Sequence, residues 1–328
     1  FAEADHVVTN SFRWNRCGAN PTETFGCVCQ WDLTDHSLLI HGSYQVPGFW
    51  ALARSISLNL PANKVKVVGH PQGGAFGGKG GARATDIAAL LSRKSGGLPV
   101  KYTEDRMEYL LAGFSQSWDR RYEAALALQA DGTMTGFKVK LLDDQGATTE
   151  TYGTISVAKP LAAFTGNYRI EAARYDTTLV VTNRAPTAPY RGYGPPPHFC
   201  VLENLVDMAA RKLELDPAEI RRRNYIRLDQ FPYTIPSGNE YDSGDYEAIL
   251  EKVLALADYS ALRREQAAAR AQGRRVGISV VNTVEPGVFD WNAYATVGVQ
   301  GVGVPEGARV SVDILGNITI VVGFNLQS

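Results

Sequence analysis

The run Gly73-Gly74-Ala75-Phe76-Gly77-Gly78-Lys79 is the stretch of this sequence best suited to chemistry. Glycine lets a backbone curve tightly and approach a ligand closely, and successive amides turned one way form a nest for an anion or a metal-bound oxygen. It is not a complete phosphate loop, because Gly80 follows Lys79 where a serine or threonine is required. Nor does it fit GxGxxG with a ribose-binding acid in place. That argues against a nucleotide-binding protein. On glycines alone, a purely structural turn is an equal reading. A second run, Tyr190-Arg191-Gly192-Tyr193-Gly194, has the same backbone logic with an arginine and aromatics inserted. By itself it also reads as a surface loop. Two such turns, each leading into a helix, argue for one shared site.

The elements that must hold these loops follow from periodicity. Alternation over residues 26–40 around Asp32-Leu33-Thr34-Asp35 predicts two strands and a turn, and residues 65–68 and 100–103 predict two more strands. Alanine and leucine over 82–94, closed by Gly96-Gly97, predict a helix, so the first glycine run joins a strand to a helix. Residues 121–130 and 134–142 flank Asp131-Gly132, a hairpin signal. Leu202, Leu205, Val206, Ala209 and Leu213 define one face of a helix after the second loop. Asp216-Pro217-Ala218-Glu219 predicts an N-cap, a proline at the first helical position and a glutamate closing a capping box. A single long helix is expected over 245–272, and a second hairpin at 308–314 and 318–322 around Gly316-Asn317. The expected fold is α+β, mixed sheets with packed helices. Residues 1–228 read as a first domain, the polar stretch 229–244 as a linker, and 245–328 as the beginning of a second domain.

Composition narrows the function. The formal net charge is -1 and the hydrophobic content 45%, which suits a globular protein and points to neither nucleic acid nor an anionic membrane as partner. The absence of a long apolar stretch and of a leader-like N-terminus makes the cytoplasm the expected compartment. Cys17, Cys27, Cys29 and Cys200 read as plain buried thiols, with Cys27 and Cys29 expected on opposite faces of a strand; an iron-sulfur cluster within this chain has no support.

In order along the chain stand Gln45 in Gly42-Ser43-Tyr44-Gln45-Val46-Pro47, the Gly73 to Lys79 run, Pro99-Val100-Lys101 and Arg106-Met107-Glu108. Then come Asp131-Gly132-Thr133, the Tyr190 to Gly194 run, and Leu215-Asp216-Pro217-Ala218-Glu219-Ile220-Arg221-Arg222-Arg223-Asn224. This succession resembles the molybdopterin-binding large subunit of the xanthine oxidase, aldehyde oxidase and carbon monoxide dehydrogenase family of molybdenum hydroxylases. The resemblance implies a molybdenum-pterin cofactor, as molybdopterin or its cytosine dinucleotide form, with no side chain bonded to the metal. It further implies that Gln45 hydrogen-bonds a molybdenum oxygen, that Gly74, Ala75, Phe76 and Gly77 line the cofactor, and that the amides of Phe76 and Arg191 face its oxygen or sulfur ligands. Tyr193 falls where family members carry an aromatic that stacks on substrate; a tyrosine packed under the loop is the alternative. Electrons would pass to [2Fe-2S] clusters and FAD in an iron-sulfur and a flavin subunit, and a further molybdenum-binding chain or segment is expected.

Three departures qualify the resemblance. Purine-oxidising members have a glutamate where this chain has Gly80, and carbon monoxide dehydrogenases have a copper-binding cysteine where it has Gly192. The similarity is also expected to be incomplete at both ends, leaving the family's base glutamate outside the chain. Asp143, Asp144, Glu285 and Asp290 read as solvated or turn-stabilising carboxylates, so no catalytic residue is assigned. The expected function is a component of a molybdenum hydroxylase that oxidises an N-heterocycle or an aldehyde with water as oxygen source. The alternative is an inactive split or truncated scaffold.

Overall fold

The computed structural model describes residues 1–79, 84–111, 115–149, 151–287 and 307–325. Gly80 and Asp290 lie outside them. Two four-stranded mixed sheets, each covered by helices, give the α+β architecture expected.

The first sheet runs in the order Val65–Gly69, Ser37–Gly42, Gly26–Asp32, Val100–Thr103. Ser37–Gly42 and Val65–Gly69 are parallel, so the chain must cross over between them, and helix Pro47–Ser57 makes that crossing. Helix Ala84–Lys94 follows the glycine run and packs on the Gly26–Asp32 strand; past its end, Gly96 and Gly97 take positive φ. Trp31, Leu38, Ile40, Tyr44 and Trp50 form the core of this half. Cys27 and Cys29 are both buried there. The expectation of opposite faces fails because a strand repeats every two residues, which puts residues 27 and 29 on the same side. Cys200, by contrast, is exposed.

The second sheet runs His6–Trp14, Asp119–Leu128, Met134–Asp144, Ala172–Val180, with the last pair parallel. Asp131-Gly132 turns the central hairpin, as its chemistry requires: Gly132 has φ +90°, and the Asp131 carboxylate accepts from the Thr133 amide. Helix Pro195–Lys212 lays Leu202, Leu205, Val206 and Ala209 on this sheet, each fully buried. In the span 229–244, Ile235 and Tyr241 are buried in that same core, and Ser237 and Asn239 donate to the carbonyls of Leu161 and Ala162.

Three local expectations are corrected. Asp216 caps helix Pro217–Asn224 through the Ala218 amide, but Glu219 turns to Arg222 and Arg223 instead of closing the box. The long helix is two helices, Tyr246–Leu256 and Tyr259–Ala271. Asp258, in the left-handed region at φ +43°, ends the first and caps the second by accepting from the Ala261 amide. Asp143 is neither solvated nor at a turn: it is fully buried against Arg120, directly across the hairpin. The expected C-terminal hairpin forms from Ala308–Val312 and Ile318–Val322, closed by Asp313 on the amides of Leu315 and Asn317.

Candidate functional site

Gly42 and Gly69 are paired in register at the carboxyl ends of the two parallel strands, so the segments that follow leave the sheet side by side. One segment carries Gln45 and the other the glycine run. In open sheets, ligands bind in the crevice outside the carboxyl ends of parallel strands. The two segments are stitched together: the Gln45 amide donates to the Lys79 carbonyl at 3.2 Å, and the Gly77 amide donates to Gln45 Oε1 at 3.0 Å. Because a backbone N–H can only donate, the second bond fixes which side-chain atom is oxygen. Gln45 Nε2 is thereby left with two protons and no acceptor among the described residues.

The run itself has an unusual backbone. Gly74, Phe76 and Gly77 all take positive φ (+88°, +52° and +99°), and for Phe76 this costs on the order of 1 kcal/mol or more. The successive amides of Gly74, Ala75 and Phe76 meet no acceptor among the described residues, although Gly74 and Ala75 are buried. Buried amides are nearly always paired, so this row is suited to an external acceptor. The glycines are needed for packing as well. A Cβ on Gly77 would lie 2.4 Å from the Pro189 carbonyl oxygen, and one on Gly74 2.9 Å from the Phe76 ring.

The second loop reaches the first through that same contact. Arg191 donates its amide to the Phe76 carbonyl at 3.1 Å, so the two glycine loops are in contact, as a shared site requires. The Arg191 amide, which the resemblance places against the cofactor, is here bonded to the first loop. The close Pro189 to Gly77 approach directs it onto the first loop, and the guanidinium is left exposed. Tyr193 is 9% exposed, and Lys159 Nζ lies 5.7 Å from its ring centroid and covers one face of the ring. The helix beyond begins Pro195-Pro196-Pro197, three residues without an N–H, so its first turn offers few donors and the glycine run supplies them.

Two anchors were not apparent in the sequence. Lys79 is fully buried and pairs with Glu23 at 2.7 Å, and Glu23 also accepts from the Gly73 amide at 2.7 Å and from Ser43. Partial desolvation opposes ionisation of Glu23, but its bonds to Lys79 and Gly73 outweigh it and hold the carboxyl below its usual value. No pattern joins residues 23, 43 and 79; only the unexplained lysine closing the glycine run could have prompted the search.

Glu104 is 7% exposed, Oε2 has no partner among the described residues, and burial raises its pKa to about 7. A carboxyl whose folded value lies above its unfolded value binds its proton more tightly when folded. Its contribution is therefore complete below the unfolded value near 4.5 and is lost as pH rises through about 7. Glu104→Gln should escape this loss. In urea titrations the variant is expected to gain on the wild type by up to about 3 kcal/mol between pH 5 and pH 8.5, and parallel stability curves would refute the assignment.

The comparisons with known proteins identify the family. A family model described as "Molybdopterin cofactor-binding domain" matches residues 1–225, and the chain belongs to that family. It is 33% identical over its whole length to the nicotine 6-hydroxylase large subunit of Paenarthrobacter nicotinovorans, and 35% identical over 87% of its length to the carbon monoxide dehydrogenase large chain of Hydrogenophaga pseudoflava. It covers 40% and 36% of those proteins. Its fold matches quinoline 2-oxidoreductase from Pseudomonas putida 86 with a TM-score of 0.86 at 29% identity, covering all of this chain and 42% of that one. The chain thus spans about two fifths of the length of these relatives.

Proposed function

We propose that this chain is the cofactor-binding part of a molybdenum hydroxylase that oxidises an N-heterocycle or an aldehyde with water as oxygen source. The observation that carries the reading is the row of amides at Gly74, Ala75 and Phe76, which meet no acceptor among the described residues, on the segment stitched to Gln45 beyond the same strand ends; with Gln45 Nε2 they make a donor set suited to an oxygen-rich group. The molybdenum-pterin group would supply the two-electron redox chemistry. Gln45 and the three amides would hold its oxygens, Arg191 would fix Phe76 through its carbonyl, and Glu23 with Lys79 would keep the run in shape. Tyr193 would bound the substrate side, presenting the part of its ring that Lys159 leaves uncovered. Iron-sulfur and flavin subunits would take the electrons, and further large-subunit polypeptide would complete the pocket in the cytoplasm. Among the described residues, no helix is long and apolar enough to cross a membrane.

Two features favour a heterocycle over carbon monoxide. The relatives named for nicotine and quinoline are named for N-heterocycles. A cysteine in place of Gly192 would set its Cβ 2.3 Å from Pro196 Cγ, at φ +95°, so a copper-binding thiol has no room here. The test is molybdenum content and turnover of quinoline- and nicotine-type substrates by the complex purified with its partners. Gln45→Leu is expected to weaken cofactor retention at least about tenfold, the worth of one hydrogen bond to a charged group. A complex that holds no molybdenum would overturn the proposal.

A further inference from the structure

The same strand ends carry a second constellation that takes no part in the donor set above. His41, next to last in Ser37–Gly42, and His70, the residue after Val65–Gly69, bring Nδ1 and Nε2 to 2.9 Å, with ring centroids 5.1 Å apart and planes inclined by 25°. The backbone of His70 is held on both sides: its amide donates to the Gly42 carbonyl at 3.3 Å and its carbonyl accepts from Asn325 Nδ2 at 2.6 Å. The His70 side chain is exposed and that of His41 half-buried.

We propose that His41 and His70 form a two-point chelating site for a borderline divalent transition ion, namely zinc, nickel or copper. Bonds of about 2.0 Å from a zinc ion to two imidazole nitrogens at a tetrahedral angle place the nitrogens roughly 3.3 Å apart. The nitrogens need to part by only a few tenths of an ångström, with each ring turning by roughly 35° to aim its lone pair at the ion, and neither ring is locked in the core. A hydrogen bond between two neutral imidazoles places an N–H on one of them; as the ion binds, that ring changes tautomer, giving up this proton and taking one from solvent at its other nitrogen, so two neutral rings present lone pairs with no net proton released. Nitrogen ligands select this class of ion over calcium or magnesium, which take oxygen.

No group of three or more histidine, cysteine, aspartate or glutamate side chains that could hold a metal occurs among the described residues. Two protein ligands therefore leave the other coordination positions to water, and the site is exchangeable, unlike a closed structural zinc centre. A bound ion would bolt together the two strand ends from which Gln45 and the glycine run depart. This site is separate from the one proposed for the molybdenum cofactor: it offers lone pairs to a cation, whereas the amides of residues 74–76 offer protons to an acceptor.

The test is calorimetric titration of the chelator-treated full chain with zinc and nickel ions, beside His41→Gln, His70→Gln and the double variant. The wild type is expected to take one equivalent, and each single variant to bind it at least about tenfold more weakly, since a chelate becomes a single contact. The metal-dependent rise in unfolding temperature should vanish in the variants while their metal-free unfolding temperature stays at the wild-type value. Zinc-edge absorption on the wild type alone, expected to show two imidazole nitrogens at about 2.0 Å, decides the matter even if a variant fails to fold. Equal affinity in wild type and variants, or no binding by the wild type, would overturn the site and leave the molybdenum proposal untouched.

Discussion

Gly77→Ala is expected to part the two glycine loops and to cost the assembled complex at least about tenfold in molybdenum retention, whereas Gly96→Ala is expected to leave retention unchanged. Both glycines are in the left-handed region, at φ +99° and +78°, so both substitutions carry the same backbone cost of about 1 kcal/mol. Only the surroundings differ. A Cβ on Gly96 meets nothing within 4 Å, whereas one on Gly77 lies 2.4 Å from the Pro189 carbonyl oxygen and 2.7 Å from its carbon. That neighbour is backbone and cannot swing aside, so the loops must separate. Separation breaks the Arg191 to Phe76 bond and shifts the Gly77 amide off Gln45, and with it the orientation of Gln45 Nε2. Molybdenum assayed in dialysed complexes of wild type and both variants measures the effect, with far-ultraviolet dichroism as the check on folding. Equal losses in the two variants would show that backbone strain alone is responsible and that the loop contact is unimportant. Gly78→Ala offers a contrast, since its Cβ would lie 1.9 Å from the Tyr109 hydroxyl, a side chain that can be trimmed.

What could be read from the sequence was mostly local. The strand pair Gly26–Asp32 and Ser37–Gly42, the hairpin at Asp131-Gly132 and the helix Pro195–Lys212 each show their period or turn residue within a dozen positions. The two glycine runs stood out because several glycines in a row have few physical explanations. The break at Asp258 did not stand out: helix formers flank it on both sides, and an aspartate is an ordinary helix-surface residue until its backbone is known to be left-handed. Long-range facts were hidden for a different reason. That the Arg191 amide serves Phe76 depends on how Pro189 meets Gly77, and that Glu23 serves both Gly73 and Lys79 depends on a fold that brings residues 50 or more positions apart into contact. A charged residue in a strand, likewise, reads as facing solvent unless its cross-strand partner is known.

Arg120 is a clear example of such a residue, and removing it is expected to be strongly destabilising. Its side chain and that of Asp143 are 0% and 1% exposed, and the two are direct cross-strand partners, with Nε and Nη2 each 3.1 Å from Oδ2. The same guanidinium donates to Ser156 and to the Gly194 carbonyl, and it stacks over Trp118 at 5.2 Å. Burial pushes the Asp143 carboxyl up in spite of the arginine beside it, so this aspartate is charged at a cost and depends on its partner. Breaking a buried pair from one side leaves an uncompensated charge, worth about 3–5 kcal/mol, whereas removing both charges together is often close to neutral. Arg120→Met should therefore lower the unfolding free energy in urea by about 3–5 kcal/mol, and Arg120→Met with Asp143→Leu should recover most of that loss. Recovery should not extend to the site. Gly194 closes the Tyr190 to Gly194 loop and caps the helix behind it, so in the double variant its carbonyl still lacks the donor that holds the loop down. The double variant is accordingly expected to be stable yet to retain less molybdenum than the wild type. A single variant that loses under about 1 kcal/mol would refute the energetic claim, and full molybdenum retention in the double variant would show that the loop does not depend on Arg120.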